Sequence, residues 1–309
     1  MQRFCASPMQ MRMATNTQFL IPQPQRNFGA SEKQLRIRMK SVNNIRKITK
    51  AMKMISSMKM KGEMRRLANG RNFGIHSLDM MFKTDTHLQK KMGDVRANPK
   101  ELLVPITSDK GLCGGINSGI VRDVRDYLLQ RDRSRCDIFS IGEKGAAAMG
   151  RNFRDILRTG ISGISTPYNY PTAMAISEHI IAAGESADKI TVFYNEYKSA
   201  IATIIRHMEL MPRQRFLDTM KFGRLYDMKL PDKNTANPAL YELYITSNLW
   251  VALLNNSCSE MSARMNAMEN ASKNASEILD KLTTQYNKAR QARITIELVE
   301  IISGASALE

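Results

Sequence analysis

The chain has 309 residues, of which 43% are hydrophobic, 6% aromatic and 22 methionine. That is enough for one large domain or two small ones, and a Met-rich, aromatic-poor balance suits long helices and adaptable surfaces better than a dense β core. The formal charge of +17 asks for an acidic partner without choosing among nucleic acid, an anionic membrane and an acidic protein surface, and no run of about 18 apolar residues offers a membrane-spanning helix.

Residues 1–31 carry Arg3, Arg12 and Arg26 and no acid, with Ser, Thr and Gln between them. That is the composition of an organellar transit peptide, expected over 1–28 with a cut after Phe28; an ordinary disordered tail is the alternative. Ser31 and Glu32 then open a helix expected over residues 31–90. Leu35, Met39, Val42, Ile45, Ile48, Met52 and Ile55 step by three and four along one stripe. Twelve Lys or Arg against two acids between Ser31 and Arg66 make the other faces very basic. Gly62, Gly70 and Gly74 weaken the continuation toward Phe82.

The middle changes character. Residues 99–210 alternate short apolar runs with helical stretches: "ELLVPITSD", "CDIFSIG", "KITVFYNEYKS" and "IATIIRHMEL" read as strands. "EKGAAAMG" and "PTAMAISEHIIAAGES" read as helices between them. This pattern predicts a small parallel or mixed sheet with helices on its faces, a Rossmann-like α/β unit. Residues 211–238 are basic and proline-containing, and are expected to be an irregular connection.

From Ala239 to Ser303 there is neither Gly nor Pro. Met261, Met265, Met268, Ser272, Ala275, Leu279, Leu282, Tyr286 and Ala289 advance by four and three alternately, a left-handed coiled-coil seam. Some sixty residues at 1.5 Å each make a helix about 90 Å long. A striped helix of that length needs a partner, and the other long striped helix is the N-terminal one. The fold class expected is therefore α/β with long helices: an antiparallel coiled coil of the terminal helices with the α/β unit inserted between them.

Chemistry-bearing motifs are sparse. Cys5, Cys113, Cys136 and Cys258 form neither a CxxC pair nor a zinc spacing, and read as small buried residues. "SDKGLCGGIN" follows a strand and precedes a helix, the context of a phosphate loop. However, Lys110 lies before the glycines and no GxxxxGK[ST] or GxGxxG is present, which favours a tight turn. The histidines are scattered, and no HExxH, nucleophile elbow or carboxylate pair occurs. The basic helix lacks base-stacking aromatics, although its cations can contact phosphates or simply be solvated.

Three blocks in order resemble the gamma subunit of F-type ATP synthases, a mitochondrial one: "KITKAMKMISSMKM", "SDKGLCGGIN", and "SEMSARMNAMENASKNA" running into "YNKARQARITIELVEIISGASA". Ile294, Thr295, Glu297, Glu300, Gly304 and Ala305 of the last block are in register with the family signature. The resemblance frames residues 32–308 and is loose from Arg206 to Ala239. It implies a non-catalytic rotor subunit of the central stalk without a cofactor or metal. Its partners would be the alpha and beta subunits, the small delta and epsilon stalk subunits and the membrane c-ring, with no nucleic acid. The place implied is the mitochondrial inner membrane, peripheral on the matrix side. Met52, Arg290, Gln291, Thr295 and Glu297 resemble the family's contacts with the catalytic beta subunits. Read without the family, Met52 is a seam residue and Arg290 and Glu297 are helix-surface charges. Chloroplast members carry an inserted cysteine pair that has no counterpart here. A basic coiled coil that binds nucleic acid, and a nucleotide-binding enzyme built on the α/β unit, are the competing readings.

Overall fold

A computed structural model describes residues 32–71, 99–220 and 233–307. The leader expected over 1–28, and the first helix beyond Arg71, lie outside them. The elements run α1 (Glu32–Arg71), β1 (Glu101–Pro105), α2 (Ile116–Leu129), β2 (Cys136–Ile141), α3 (Glu143–Asn152), β3 (Leu157–Ile161), α4 (Tyr170–Ala183), β4 (Lys189–Tyr197), β5 (Thr203–Leu210), α5 (Arg213–Met220) and α6 (Lys233–Ser306). None of these helices is long and apolar enough to cross a membrane.

The chain divides into two compact bodies, one of residues 40–280 and one joining the start of α1 to residues after 280. In the larger body the sheet order is β3-β2-β1-β4-β5. β1 pairs in parallel with β2 and β4, β2 pairs in parallel with β3, and β5 is antiparallel to β4. Every residue of β1 is buried, as a strand covered on both faces requires. Alternation along it feeds two cores. Leu102 and Val104 join Ile176 and Ile180 of α4 and Ile245, Leu249 and Leu253 of α6 on one face. Leu103 joins Ile120 and Val124 of α2 and Met149 of α3 on the other.

Helices α1 and α6 run antiparallel within this body. Arg71 Nη2 donates to Asn255 Oδ1 at 3.4 Å, while Lys53 Nζ lies 3.1 Å from Glu269 Oε1. At Gly70 a Cβ would come within 2.5 Å of Leu254 Cδ1, so the helices approach there more closely than a side chain permits. In the smaller body Glu32 accepts from Tyr286 Oη at 2.9 Å and pairs with Arg293 at 3.2 Å.

Three expectations are corrected. Only part of the apolar stripe of α1 is shielded: Leu35 is buried and Met39, Val42 and Met52 are half-buried, whereas Ile45, Ile48 and Ile55 are exposed. The face turned inward repeats every seven residues through Leu35, Val42, Thr49, Ser56, Glu63 and Gly70. Thr49, Ser56 and Gly70 on that row are small enough to permit close approach to α6, while Met60 and Leu67 beside it are apolar and buried. Second, the connection after residue 211 contains α5, whose Phe216 is fully buried against Tyr241 and Tyr244. Third, α6 begins at Lys233 and carries Pro238 inside it. That proline is the sixth residue of α6, so it removes one main-chain bond close to the helix start and not in its middle. On the α6 seam Met261, Met268 and Ala275 are buried, and Met265, Ser272, Leu279, Leu282, Tyr286 and Ala289 are half-buried.

Candidate functional site

The strand order reverses between β1 and β4, and open α/β sheets take ligands at that crevice. Here the turn after β1 is bonded to its own surroundings. Thr107 Oγ1 donates to Ile141 O at 2.9 Å and accepts from Gly145 N at 2.9 Å. Asp109 accepts from Glu143 N at 2.9 Å and from Ile164 N at 3.0 Å. Asn117 ties Ser108 and Cys113 together from α2. The crevice itself is filled by α6: Asn256 accepts from Asn195 Nδ2 at 3.0 Å, and Ser259 Oγ donates to Asn195 O at 3.1 Å. Arg264 Nη2 reaches Gly111 O at 3.2 Å. "SDKGLCGGIN" is thus a turn that holds a helix of its own chain, which accounts for glycines without the phosphate-loop spacing.

Arg264 is buried and pairs with buried Glu260 at 2.6 Å. Burial raises the Glu260 carboxyl above its ordinary range, and the Arg264 bond opposes that rise. The Tyr168 hydroxyl is also pushed up, by burial first and then by Glu260, Asp109 and Glu63 nearby. Burial raises the Cys258 thiol to about 12, so it is a packed side chain and not a nucleophile.

Two clefts open along α1 within this body. One, of about 570 Å³, places Met52, Ile55, Leu112 and Met261 over the Glu260–Arg264 pair, with Lys59 and Lys110 also lining it. Met52 is half-buried there. The other, of about 560 Å³, is lined by Arg46, Lys47, Lys50, Lys53 and Lys273 with one acid, Glu269. Lys53 and then Lys273 hold the Glu269 carboxyl below the usual range. The remaining cations leave this cleft strongly positive.

The other four candidate residues stand on the exposed end of α6, in the smaller body. Arg290 and Glu297 are seven residues apart and share one face of the helix, while Gln291 and Thr295 share another. Thr295 Oγ1 donates back to Gln291 O at 3.0 Å. Arg293 links Glu297, at 3.6 Å, to Glu32, at 3.2 Å. Between and beyond them Ile296, Leu298, Val299, Ile301 and Ile302 are each more than half exposed. Sequence reasoning missed Glu260, Arg264, Asp109 and Tyr168. The four-residue step from Glu260 to Arg264 was the one signal available for the pair.

Comparison with known proteins gives one answer. A family model described as ATP synthase matches residues 31–308. The chain is 35% identical over 306 residues to the mitochondrial ATP synthase subunit gamma of Drosophila melanogaster, covering 96% of this chain and 99% of the relative. It is 37% identical over 297 residues to the ATP synthase gamma chain of Methylorubrum extorquens, covering 90% and 99%. Among solved structures it is similar to a chain of the central stalk and c-ring of Tetrahymena thermophila mitochondrial ATP synthase. That match has 44% identity and a TM-score of 0.66, over 73% of this chain and 99% of that one. A chain of the Euglena gracilis mitochondrial ATP synthase gives a TM-score of 0.76 over 90% and 94%, at 22% identity, a likeness of fold.

Proposed function

This chain belongs to the ATP synthase gamma-subunit family, and from that premise we propose how its parts serve the central stalk. It is a mitochondrial rotor subunit that couples proton-driven rotation to conformational cycling of the catalytic beta subunits for ATP synthesis. In our reading it supplies no catalytic residue of its own. It turns inside a ring of alternating alpha and beta subunits, with the delta and epsilon stalk subunits and the c-ring as its other neighbours. It sits peripherally on the matrix side of the inner membrane. The nucleic-acid reading gains no support from any relative.

The observation that carries this reading is the end of α6, where apolar side chains from Ile296 to Ile302 stand exposed in the chain by itself. Exposed apolar surface of this kind marks a place that another protein covers. An axle end in an apolar bearing needs contacts that are weak and replaceable, and Ile, Leu and Val without hydrogen-bonding atoms provide them. Met52, Arg290, Gln291, Thr295 and Glu297 are the residues we assign to contact with the beta subunits. Met52 offers a polarizable, adaptable surface, and the four polar residues offer bonds that form at one angle of the shaft and break at the next. Coupling is then a difference in free energy between beta conformations at each shaft angle. The basic cleft around Arg46 and Lys50 adds attraction to acidic segments without a fixed lock.

The test is co-purification followed by function. Tagged chain should bring down alpha and beta subunits, with DNA a poor competitor. In the assembled enzyme Met52→Lys should lower protons pumped per ATP hydrolysed while the complex still forms. A variant complex that never assembles, with hydrolysis and pumping lost together, would make Met52 a structural residue.

A further inference from the structure

The polar face of α6 that fills the sheet crevice does more than satisfy buried groups. Ser262 Oγ and Asn266 Nδ2 both donate to one main-chain oxygen, Ala200 O, each at 2.7 Å. Ala200 lies in the β4–β5 hairpin. That hairpin is itself closed by Lys198 N and Ser199 N donating to Ala202 O, and by Ser199 Oγ accepting from Ala202 N. Both lone pairs of the Ala200 carbonyl can be used in this way, which fixes the oxygen in two directions at once. On α6, Arg264 sits midway in sequence between these donors and reaches Lys110 O and Gly111 O, in the turn after β1.

The azimuths decide what this arrangement resists. Two residues along an α-helix rotate the side chain by about 200°. Arg264 therefore leaves α6 on nearly the opposite side from Ser262 and Asn266. Two turns from opposite sides of the β1–β4 crevice hold the helix from opposing faces. Packing on one face alone would let a helix roll about its axis; opposed hydrogen bonds to rigid main-chain carbonyls do not. The acceptors are backbone atoms, so the grip depends on the position of the turns and not on the identity of their side chains. Ser262 is nearly fully buried, where such bonds are strongest and most costly to leave unmade.

We propose that Ser262 and Asn266, bonded to Ala200 O opposite the Arg264 contacts, are positioning residues that lock α6 against rotation relative to the α/β unit. They would thereby carry torque between that unit and the shaft. The inference rests on the rotor function and adds to it a specific joint.

The experiment uses the complete, membrane-reconstituted enzyme holding this chain, with ATP hydrolysis and ATP-driven proton pumping measured on the same sample. In Ser262→Ala/Asn266→Ala, hydrolysis should stay within about twofold of the unaltered enzyme. Protons pumped per ATP should fall about threefold or more, since two part-buried bonds to one oxygen are lost together. A second variant, Ala200→Cys/Ser262→Cys/Asn266→Ala, replaces the joint by one that can be closed with a thiol oxidant; residues bridged by one short bond lie near the roughly 4.4–6.8 Å Cα span of a disulfide. Pumping per ATP should be low when it is reduced and recover on oxidation, a reversal that a merely structural role would not produce. An unchanged ratio in the first variant would overturn the joint. So would failure of that variant to assemble, or an identical ratio in both redox states of the second. An unaltered chain that assembles but supports no pumping would overturn the rotor function itself, and the joint with it.

Discussion

Two stretches of α6 invert the usual partition of a protein. Residues 251–262 are all buried, yet Asn255, Asn256, Ser257, Ser259, Glu260 and Ser262 are among them. Residues 290–307 are all exposed, yet Ile294, Ile296, Leu298, Val299, Ile301 and Ile302 are among them. Charged and amide side chains are ordinarily the exposed ones. The difference teaches that the two stretches answer different demands. Buried polar groups bonded to particular carbonyls specify one position of the helix. Apolar groups left bare specify no position by themselves and fit a surface that slides past them.

The contrast can be broken most forcefully at the buried pair. Arg264→Ala leaves Glu260 buried without its counter-ion and should destabilise the chain by about 3–5 kcal/mol at neutral pH, read by denaturant unfolding. The pH dependence has a definite sign. The folded-state pKa of Glu260 is raised, so between its unfolded value and that raised value the folded chain binds more protons. This group therefore costs stability at neutral pH, and the cost shrinks as pH falls through that window. Glu260→Gln in the Arg264→Ala background should flatten the profile. Equal slopes with and without the carboxyl would contradict the assignment.

A smaller loss is expected at the turn that supports the buried stretch. Gly142 has φ 97°, and a Cβ there would lie 2.3 Å from Thr107 O. Gly142→Ala should cost about 2–3 kcal/mol in strain and backbone displacement. A thermal midpoint equal to that of the unaltered chain would show that the turn relaxes freely.

The smallest effect on the chain alone belongs to the bare end. Ile301→Ala removes apolar surface that is two-thirds exposed, and should change the stability of the isolated chain by less than about 0.5 kcal/mol. The same substitution should weaken retention of the chain by alpha and beta subunits. A marked loss of stability in isolation would mean that the end of α6 packs within the chain and awaits no partner.

Much of this architecture is legible in the residues. The seam from Met261 to Ala289 follows from steps of four and three, and every position on it is buried or half-buried. Strands β1, β2, β4 and β5 coincide with Val- and Ile-bearing runs bounded by turn residues. β3 does not, because "LRTGI" has a glycine and an arginine in five residues and is placed by its pairing with β2. Helix α1 reads only partly, since Leu35, Met39, Val42 and Met52 of its stripe are shielded and the isoleucines are not. Counting apolar residues selects Ile45, Ile48 and Ile55, but the helix turns Thr49 and Ser56 inward, where small size permits close approach to α6. The proposed contact residues Met52, Arg290, Gln291, Thr295 and Glu297 come from family resemblance, since nothing in their spacing separates them from ordinary helix-surface residues. Arg264 escapes notice because its acceptors, Lys110 O and Gly111 O, are main-chain atoms some 150 residues away, and no side-chain pattern records them.

The central claim, that this chain rotates against its surroundings, is tested most directly by watching it turn. Ile201 is 89% exposed at the tip of the β4–β5 hairpin, whereas Cys113, Cys136 and Cys258 are buried. A probe on Ile201→Cys, in a Cys5→Ser background and with the alpha and beta subunits fixed to a surface, should step in one direction as ATP is hydrolysed. Sustained hydrolysis with the probe stationary would contradict the account.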